Sequence, residues 1–269
     1  MNHELRITIL AFLSLFCFYT TAQNLTETKI NTFFASAQHA QNDNETAAIN
    51  DSISQTLQTA LKENGSFEYP FDHCPFLGKI YSSDHKLRFY TWNLPLSDGT
   101  FVYGGIVQKN DGTFVALKSS KTYKPTERQQ VTVNNWYGAL YYQVVAMKQK
   151  KTTCYILLGW MGNNDLTQIK VIDVLKISKS GRMTFGSPIF SNEKRQTLSR
   201  IVFEYSAQYK MTLKYNSKTK QIIFDHLAPS NPRMVGVFSE YGPDFSYDAY
   251  CLKKGKWTYK PDVDARNEE

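Results

Sequence analysis

Cysteine is scarce in this chain of 269 residues, which has only four. Cys17 lies in the apolar N-terminal segment, and Cys74, Cys154 and Cys251 are far apart. A disulfide framework and a zinc site both need several cysteines at short, regular spacings, so neither class fits. At most one disulfide can form among the last three cysteines, and the sequence leaves open whether one forms.

Catalytic and cofactor motifs are missing as well. The chain contains no G-x-S-x-G, no H-E-x-x-H, no P-loop and no dinucleotide fingerprint after a strand. Asp72-His73-Cys74 and Asp84-His85 hold metal-ligand residue types, but adjacent residues on a strand point to opposite faces. We therefore predict structural or exposed roles for them, and no metal, cofactor or catalytic residue. An enzyme is the less favoured interpretation.

Long apolar runs are also few, and the first is Ile7 to Tyr19, too short to span a bilayer as a helix. Arg6 precedes it, and Thr20 and Ala22 are the small residues typical of a cleavage site before Gln23. The sequence predicts a signal peptide over residues 1–22 and an exported protein: periplasmic, outer-membrane associated or secreted. No transmembrane span is expected after cleavage.

Positive charge is in excess, with 31 Lys and Arg residues against 24 Asp and Glu, a net charge of +7. Basic surfaces attract nucleic acid or anionic membranes. Export argues against nucleic acid, and the basic residues fall on predicted turns such as 148–151 and 253–256, which favours solvated hairpin tips. We expect a protein or glycan partner in the cell envelope and no nucleic acid.

Residues 23–66 predict a helical hairpin. Asn24 with Glu27, and Asn42 with Glu45, have the spacing of capping boxes. Apolar residues then recur at helical spacing in each segment, and Asn64-Gly65 is a typical helix stop. The two apolar stripes consist of Ile30, Phe33, Phe34 and Ala37, and of Ile49, Ile53, Leu57 and Leu61.

Residues 67–269 predict an antiparallel β domain. Short runs rich in Tyr, Phe and β-branched residues alternate with turn residues, which indicates a meander of about twelve strands. A sandwich, a curved barrel and a propeller-like array all fit this pattern. Gly104-Gly105 inside a predicted strand indicates a β-bulge. The acidic tail 262–269 is expected to fray.

The densest polar and aromatic segment, residues 240–248, is predicted to be a loop with a Gly242-Pro243 turn. Such a loop can bind sugars or Ca²⁺, and paired carboxylates can also hydrolyse a glycosidic bond. A fold that places the strands side by side would bring His226, which precedes this loop in the sequence, close to it. The candidate ligand-binding residues are Glu240, Tyr241, Asp244, Tyr247, Asp248 and His226.

These features favour a non-enzymatic binding or structural module. The alternative is a hydrolase of glycan or cell-wall material that uses the loop carboxylates. The four tryptophans form a carbohydrate platform in one interpretation, but tryptophans in strands are more often core residues.

Several segments of the β region, about residues 78–266, carry a resemblance. They are Leu87-Arg88-Phe89-Tyr90-Thr91-Trp92, Leu158-Gly159-Trp160, Val202-Phe203-Glu204-Tyr205-Ser206-Ala207, Phe224-Asp225-His226-Leu227, Tyr241-Gly242-Pro243-Asp244 and Asp262-Val263-Asp264-Ala265-Arg266-Asn267. In these segments the chain resembles a group of uncharacterised exported proteins from Bacteroidota-type bacteria. The resemblance implies an envelope or secreted location and brings no assigned activity.

Overall fold

The structure, a computed structural model, describes residues 25–119, 124–149 and 152–265. The predicted signal peptide and its cleavage position lie outside these residues. Two helices come first, α1 over residues 25–37 and α2 over Asp43–Ala60. A mainly β region follows, which confirms the predicted fold class.

Sixteen strands are present in the described residues, and twelve of them have four or more residues. The longer strands are β1 (Gly78–Tyr81), β2 (Leu87–Pro95), β3 (Phe101–Lys109), β4 (Phe114–Lys118), β6 (Leu140–Gln149), β7 (Thr152–Gly162), β8 (Thr167–Ile177), β12 (Ile201–Ser206), β13 (Leu213–Asn216), β14 (Gln221–Pro229), β15 (Tyr241–Lys253) and β16 (Lys256–Lys260). The short ones are β5 (Val131–Thr132), β9 (Met183–Phe185), β10 (Phe190–Ser191) and β11 (Thr197–Leu198).

The strands form three sheets. The first has the order β1-β2-β3-β4, and the second has the order β5-β9-β8-β7-β6 with β12 also paired to β8. The third has the order β11-β10-β16-β15-β14-β13. All pairs are antiparallel except β10 with β16. Within the described residues no sheet closes into a barrel, so the barrel alternative is wrong.

The helices and the sheets stack as layers with a hydrophobic core between successive layers. One core joins both helices to the first sheet, a second joins the first and second sheets, and a third joins the second and third sheets. On β7, Tyr155 and Leu157 enter the second core, whereas Ile156 and Leu158 enter the third. A sheet covered on both faces requires apolar residues at every position, which explains the continuous apolar run of β7.

The cap of α2 follows the sequence prediction. The Asn42 side chain accepts hydrogen bonds from the backbone N–H groups of Asn44 and Glu45, at 3.1 and 3.0 Å. In α1 the predicted cap Asn24 lies outside the described residues. Glu27 is buried and accepts hydrogen bonds from the Tyr69 hydroxyl and from the backbone N–H of His73, so it fastens α1 to the segment before β1.

The structure decides two predictions, one for the tryptophans and one for Gly104-Gly105. Trp92, Trp136 and Trp257 are at most 1% exposed, so these three are core residues and the carbohydrate platform is wrong. Gly104 pairs directly opposite Trp92 in unbroken register, so the predicted bulge at Gly104-Gly105 is also wrong. A Cβ at position 104 would lie 2.1 Å from the Trp92 ring, and glycine is therefore required to admit that ring.

One buried ion pair lies in the second core. Arg200 Nε is 3.3 Å from Asp173 Oδ2 without hydrogen-bond alignment, and both side chains are inaccessible. Arg200 Nη1 donates to the carbonyl oxygens of Thr126 and Gln129, and the Tyr137 hydroxyl donates to Asp173 at 2.6 Å. The pair therefore connects β8, the start of β12 and the segment before β5.

The structure also shows the surroundings of the metal-ligand residue types and of three cysteines. Asp72 and His73 are exposed, and Cys74 is buried. No group of three His, Cys, Asp or Glu side chains that could hold a metal ion occurs among the described residues. Cys74, Cys154 and Cys251 are free thiols. In the described part of the chain, no helix has both the length and the apolar character to cross a membrane.

Candidate functional site

The predicted site residues lie on β14 and β15 and on the connection between them. β14 pairs with β15 from Gln221 opposite Cys251 to Asp225 opposite Tyr247, and pairing resumes at Leu227 opposite Pro243. His226 therefore stands against three residues, 244–246, which bulge out of the ladder. The segment 240–248 is mostly strand rather than the predicted loop.

The strand persists through Gly242-Pro243 for two reasons. A Cβ at position 242 would lie 2.7 Å from the Tyr209 ring, so glycine permits this ring to cover the backbone. β16 pairs with β15 only from Ala249 onward, so no strand of the described residues pairs with the outer side of Pro243. Proline is tolerated where one side of a strand is unpaired.

The bulge presents an aromatic side chain to solvent. Phe245 has φ of 71°, a left-handed conformation that is costly for a bulky residue, and its side chain is 95% exposed. Asp244 stabilises the turn because its Oδ1 accepts hydrogen bonds from Ser246 N and Ser246 Oγ, at 3.0 and 2.7 Å. Burial raises the pKa of Asp244, but these hydrogen bonds outweigh it and the net shift is downward.

A histidine and a buried carboxylate pair beneath the bulge. His226 Nδ1 is 2.7 Å from Asp248 Oδ2, and the side chains are 43% and 4% exposed. Asp248 also accepts hydrogen bonds from the Tyr259 hydroxyl at 2.6 Å and from Asp262 N at 3.2 Å. Since Nδ1 faces the carboxylate, Nε2 is the imidazole nitrogen available to a ligand.

The charge environment favours protonated His226. The hydrogen bond to Asp248 is the largest cause and raises the pKa of His226, and burial opposes it. The negative charges of Asp248, Asp244 and Asp262 raise the pKa further. The surface thus combines an imidazole whose protonated form is favoured, the carboxylate of Asp244 and an exposed ring.

Glu240, Tyr241 and Tyr247 have supporting positions. Glu240 ends a 3₁₀ helix, Phe238–Glu240, and accepts a hydrogen bond from Ser230 Oγ at 2.9 Å. The Tyr241 hydroxyl accepts one from Gly236 N, and its ring packs on Phe238 at 5.3 Å. Tyr247 is half-buried, and its carbonyl oxygen accepts a hydrogen bond from Val263 N. The first two brace the connection from β14 to β15.

Three residues of this site were not predicted: Phe245, Tyr259 and Asp262. Tyr259 joins the site because β16 pairs beside β15, a pairing that no local pattern predicts. The expected fraying of the tail is wrong at Asp262 and Val263, whose N–H groups are hydrogen-bonded to Asp248 and Tyr247. Residues 266–269 lie outside the described residues. The one sequence signal for Phe245 was its position as an apolar residue between two polar residues, Asp244 and Ser246.

Open cavities in the described part of the chain lie away from the bulge. One of 720 Å³ lies beside residues 61–68 and 110–113. One of 380 Å³ lies between the exposed faces of α1 and α2, and one of 270 Å³ lies between the ends of β7, β8 and β9. None of these three is lined by the predicted site residues.

Comparison of the chain with protein-family models, with curated proteins and with solved structures finds no match to any of them. The function of the site must therefore be inferred from its own geometry.

Proposed function

We propose that the chain is an exported, non-enzymatic binding module whose partner, a protein or a glycan, docks on the β14–β15 bulge. The observation that carries this proposal is Phe245. A large apolar side chain that is almost fully exposed, in a backbone conformation that disfavours it, costs stability and brings no packing in return. Binding of a partner compensates for this cost in free energy, because the partner covers the Phe245 ring and removes its apolar surface from water.

The surroundings of Phe245 suit recognition. Three further apolar side chains, Val235, Val237 and Phe238, are 71, 44 and 43% exposed on the connection between β14 and β15. His226, with its raised pKa, stands opposite the bulge, and Asp244, with its lowered pKa, precedes Phe245 in it. An apolar centre flanked by polar groups is the usual composition of a binding surface.

The alternative, hydrolysis of glycan by the loop carboxylates, has less support from the geometry. Asp248 is buried, and its oxygens accept hydrogen bonds from His226, Tyr259 and Asp262. Asp244 is engaged by Ser246. A glycosidase needs two carboxyl groups that face the scissile bond from opposite sides. The observation that favours catalysis is His226, whose Nδ1 is held by Asp248, which leaves Nε2 to take part in proton transfer.

Export enters the proposal from the sequence, through the apolar run of residues 7–19 and the resemblance to exported proteins. Mass spectrometry of the N-terminus of the protein recovered from the cell envelope or medium tests it. We expect Gln23 or a neighbouring residue as the first residue. Intact Met1 on the exported form contradicts the predicted cleavage.

The binding proposal is tested with Phe245→Asn. Asparagine tolerates positive φ, so we expect unchanged or slightly raised stability together with loss of partner capture. The full chain, tagged at the C-terminus, is used for capture from the native cell envelope and on a glycan array. Phe76→Asn is the matched control, because Phe76 is another exposed phenylalanine, at 68%, remote from the bulge.

The comparison of the two variants decides the outcome. Loss of a specific partner with Phe245→Asn but not with Phe76→Asn supports the proposal. Equal capture by both variants and the wild type removes the bulge as the binding surface. Turnover of a glycan substrate that is abolished by His226→Gln would favour the hydrolase instead.

A further inference from the structure

A second surface, separate from the bulge, is formed by hairpin turns of the second and third sheets. It comprises the turns that join β8 to β9, β13 to β14 and β15 to β16, together with the adjoining end of β6 at Lys148. We call this surface the basic end. The cations described there are Lys148, Lys176, Lys179, Arg182, Lys218, Lys220, Lys253, Lys254 and Lys256.

Strand register places these turns at one end of each sheet. In the second sheet, Cys154 near the start of β7 pairs with Met147 near the end of β6 and with Lys176 near the end of β8, so the end of β6 and the β8–β9 turn lie at the same end of the sheet. In the third sheet, Gln221 at the start of β14 pairs with Cys251 near the end of β15. The β13–β14 and β15–β16 turns are therefore also neighbours.

The two sheets are stacked with these ends on the same side. The Tyr142 hydroxyl on β6 donates to the carbonyl oxygen of Leu213 on β13, and Gln143 exchanges hydrogen bonds with Tyr215. At the opposite end, β12 packs against the 3₁₀ helix Phe238–Glu240 between β14 and β15. Stacking thus brings lysines that are scattered in the sequence to the same end of the two sheets.

The charge of the basic end is uncompensated. None of the three turns contains Asp or Glu, and the nine cations are exposed except for the half-buried Lys176. The remainder of the chain has 22 Lys and Arg residues against 24 Asp and Glu. The basic end therefore accounts for the whole positive excess of the protein. The neighbouring turns of the first sheet carry Asp84 and Asp111, which limit the surface to the second and third sheets.

One shallow cavity lies at the basic end. Its volume is 270 Å³, and Lys176 and Arg182 line it together with Thr153, Ser178 and Thr184. Two cations and three hydroxyl groups are a donor set that suits a phosphate group. The size and the openness of this cavity permit entry of a headgroup phosphate from outside.

We infer that the basic end docks the protein onto an anionic phospholipid surface. Most of the cations here are lysines rather than arginines. Lysine attracts phosphate groups as a point charge, whereas arginine binds them through paired, bidentate hydrogen bonds. Among the described residues, none of the exposed aromatic side chains lies in these turns, whereas single-stranded nucleic acid binding depends on aromatic stacking. Several lysines on one surface add their attraction to an anionic leaflet.

The docked orientation leaves the bulge accessible. His226 is five residues along β14 from Gln221, roughly 17 Å at about 3.3 Å per residue. The connection that carries Val235 and Phe238 lies farther still from the basic end. Membrane docking thus goes beyond the proposed binding function and does not depend on it.

The test is co-sedimentation of the full chain with vesicles of equal parts phosphatidylglycerol and phosphatidylcholine, and with vesicles of phosphatidylcholine alone. The patch variant is Lys218→Glu with Lys253→Glu and Lys256→Glu. The control variant, Lys29→Glu with Lys118→Glu and Lys210→Glu, changes the net charge equally at exposed lysines elsewhere. Circular dichroism melting checks that both variants are folded.

We expect wild-type binding to the anionic vesicles only, and a decrease as salt rises from roughly 0.05 to 0.5 M. Each lysine near the surface contributes roughly fivefold, so the patch variant should lose more than about tenfold in partitioning and the control less than about threefold. Equal losses in both variants, or no wild-type binding at low salt, overturn the inference. Tighter binding to duplex DNA than to vesicles, lost in the patch variant, would assign the surface to nucleic acid instead.

Discussion

At the scale of single residues, Asp248 holds the bulge together. Its carboxylate joins three segments: β14 through His226, β16 through Tyr259, and the closing residues through Asp262 N. Burial raises the pKa of Tyr259 well above its usual value, and the hydrogen bond to Asp248 raises it further, so the hydroxyl stays a donor. Asp248 was a predicted site residue, but its role is to position His226.

Replacing Asp248 by Asn keeps the shape and removes the charge, so the pKa of His226 should fall. NMR titration of the His226 ring measures it. Asp72→Asn, at an exposed position, serves as the control and should leave this pKa unchanged. An unaltered pKa of His226 in Asp248→Asn would show that the carboxylate does not set it.

The same variant changes how stability depends on pH. The folded-state pKa of His226 is raised, so its stabilisation is complete below the unfolded value of about 6.5 and is lost as pH rises through the folded value. The advantage of the wild type over Asp248→Asn should therefore shrink across that window. Urea unfolding from pH 5 to 9 measures it, and a growing advantage would contradict the assignment.

At the scale of elements, the middle of β8, from Val171 to Leu175, is apolar on both faces except at Asp173. Burial lowers the pKa of Arg200, but the charge of Asp173 outweighs this and the net shift is upward. Burial and then the Asp173 charge raise the pKa of Tyr137, which stays a neutral donor. The cluster fixes the segment before β5 and the start of β12 to the middle of the second sheet.

Asp173→Asn leaves the Arg200 charge buried without its partner, so we expect a loss of roughly 3–5 kcal/mol in the free energy of unfolding. Denaturant unfolding measures it. The double variant Asp173→Asn with Arg200→Met removes both charges and should lose less than the sum of the single losses. Additive losses would mean that the two side chains do not interact.

Helices and strands were predicted correctly where the sequence pattern is local. The prediction failed where contacts with residues distant in the sequence determine the backbone conformation. The α2 cap and the strand at residues 87–92 follow from residue type and spacing. The strand through Gly242-Pro243 depends on Tyr209 covering the glycine and on the absence of β16 beside the proline. Those contacts come from residues distant in the sequence.

At the scale of the whole molecule, stability rests on three apolar cores. The thiols of Cys74, Cys154 and Cys251 are free, and burial raises the pKa of Cys74 to about 12, with Glu27 as the next cause. A buried, protonated thiol is unreactive and behaves as a small apolar side chain. We therefore expect disulfides or metal ions to add little to the stability of the stacked layers.

Treatment of the protein with EDTA and a reductant should therefore leave the melting temperature nearly unchanged. Differential scanning calorimetry before and after treatment measures it. For a chain of this size 1 kcal/mol corresponds to roughly 2–4 °C, so a fall of more than about 10 °C would show a missing metal or disulfide.

The sequence by itself determined the helical hairpin, the antiparallel β character and the residues gathered in 240–248, because periodicity and turn residues act over a few neighbouring positions. Only the tertiary structure decided that His226 meets Asp248, that Gly104 admits Trp92, and that three basic turns and the end of β6 share one end. Strand register and the stacking of sheets depend on contacts between residues far apart in the chain, and local preferences do not specify these contacts.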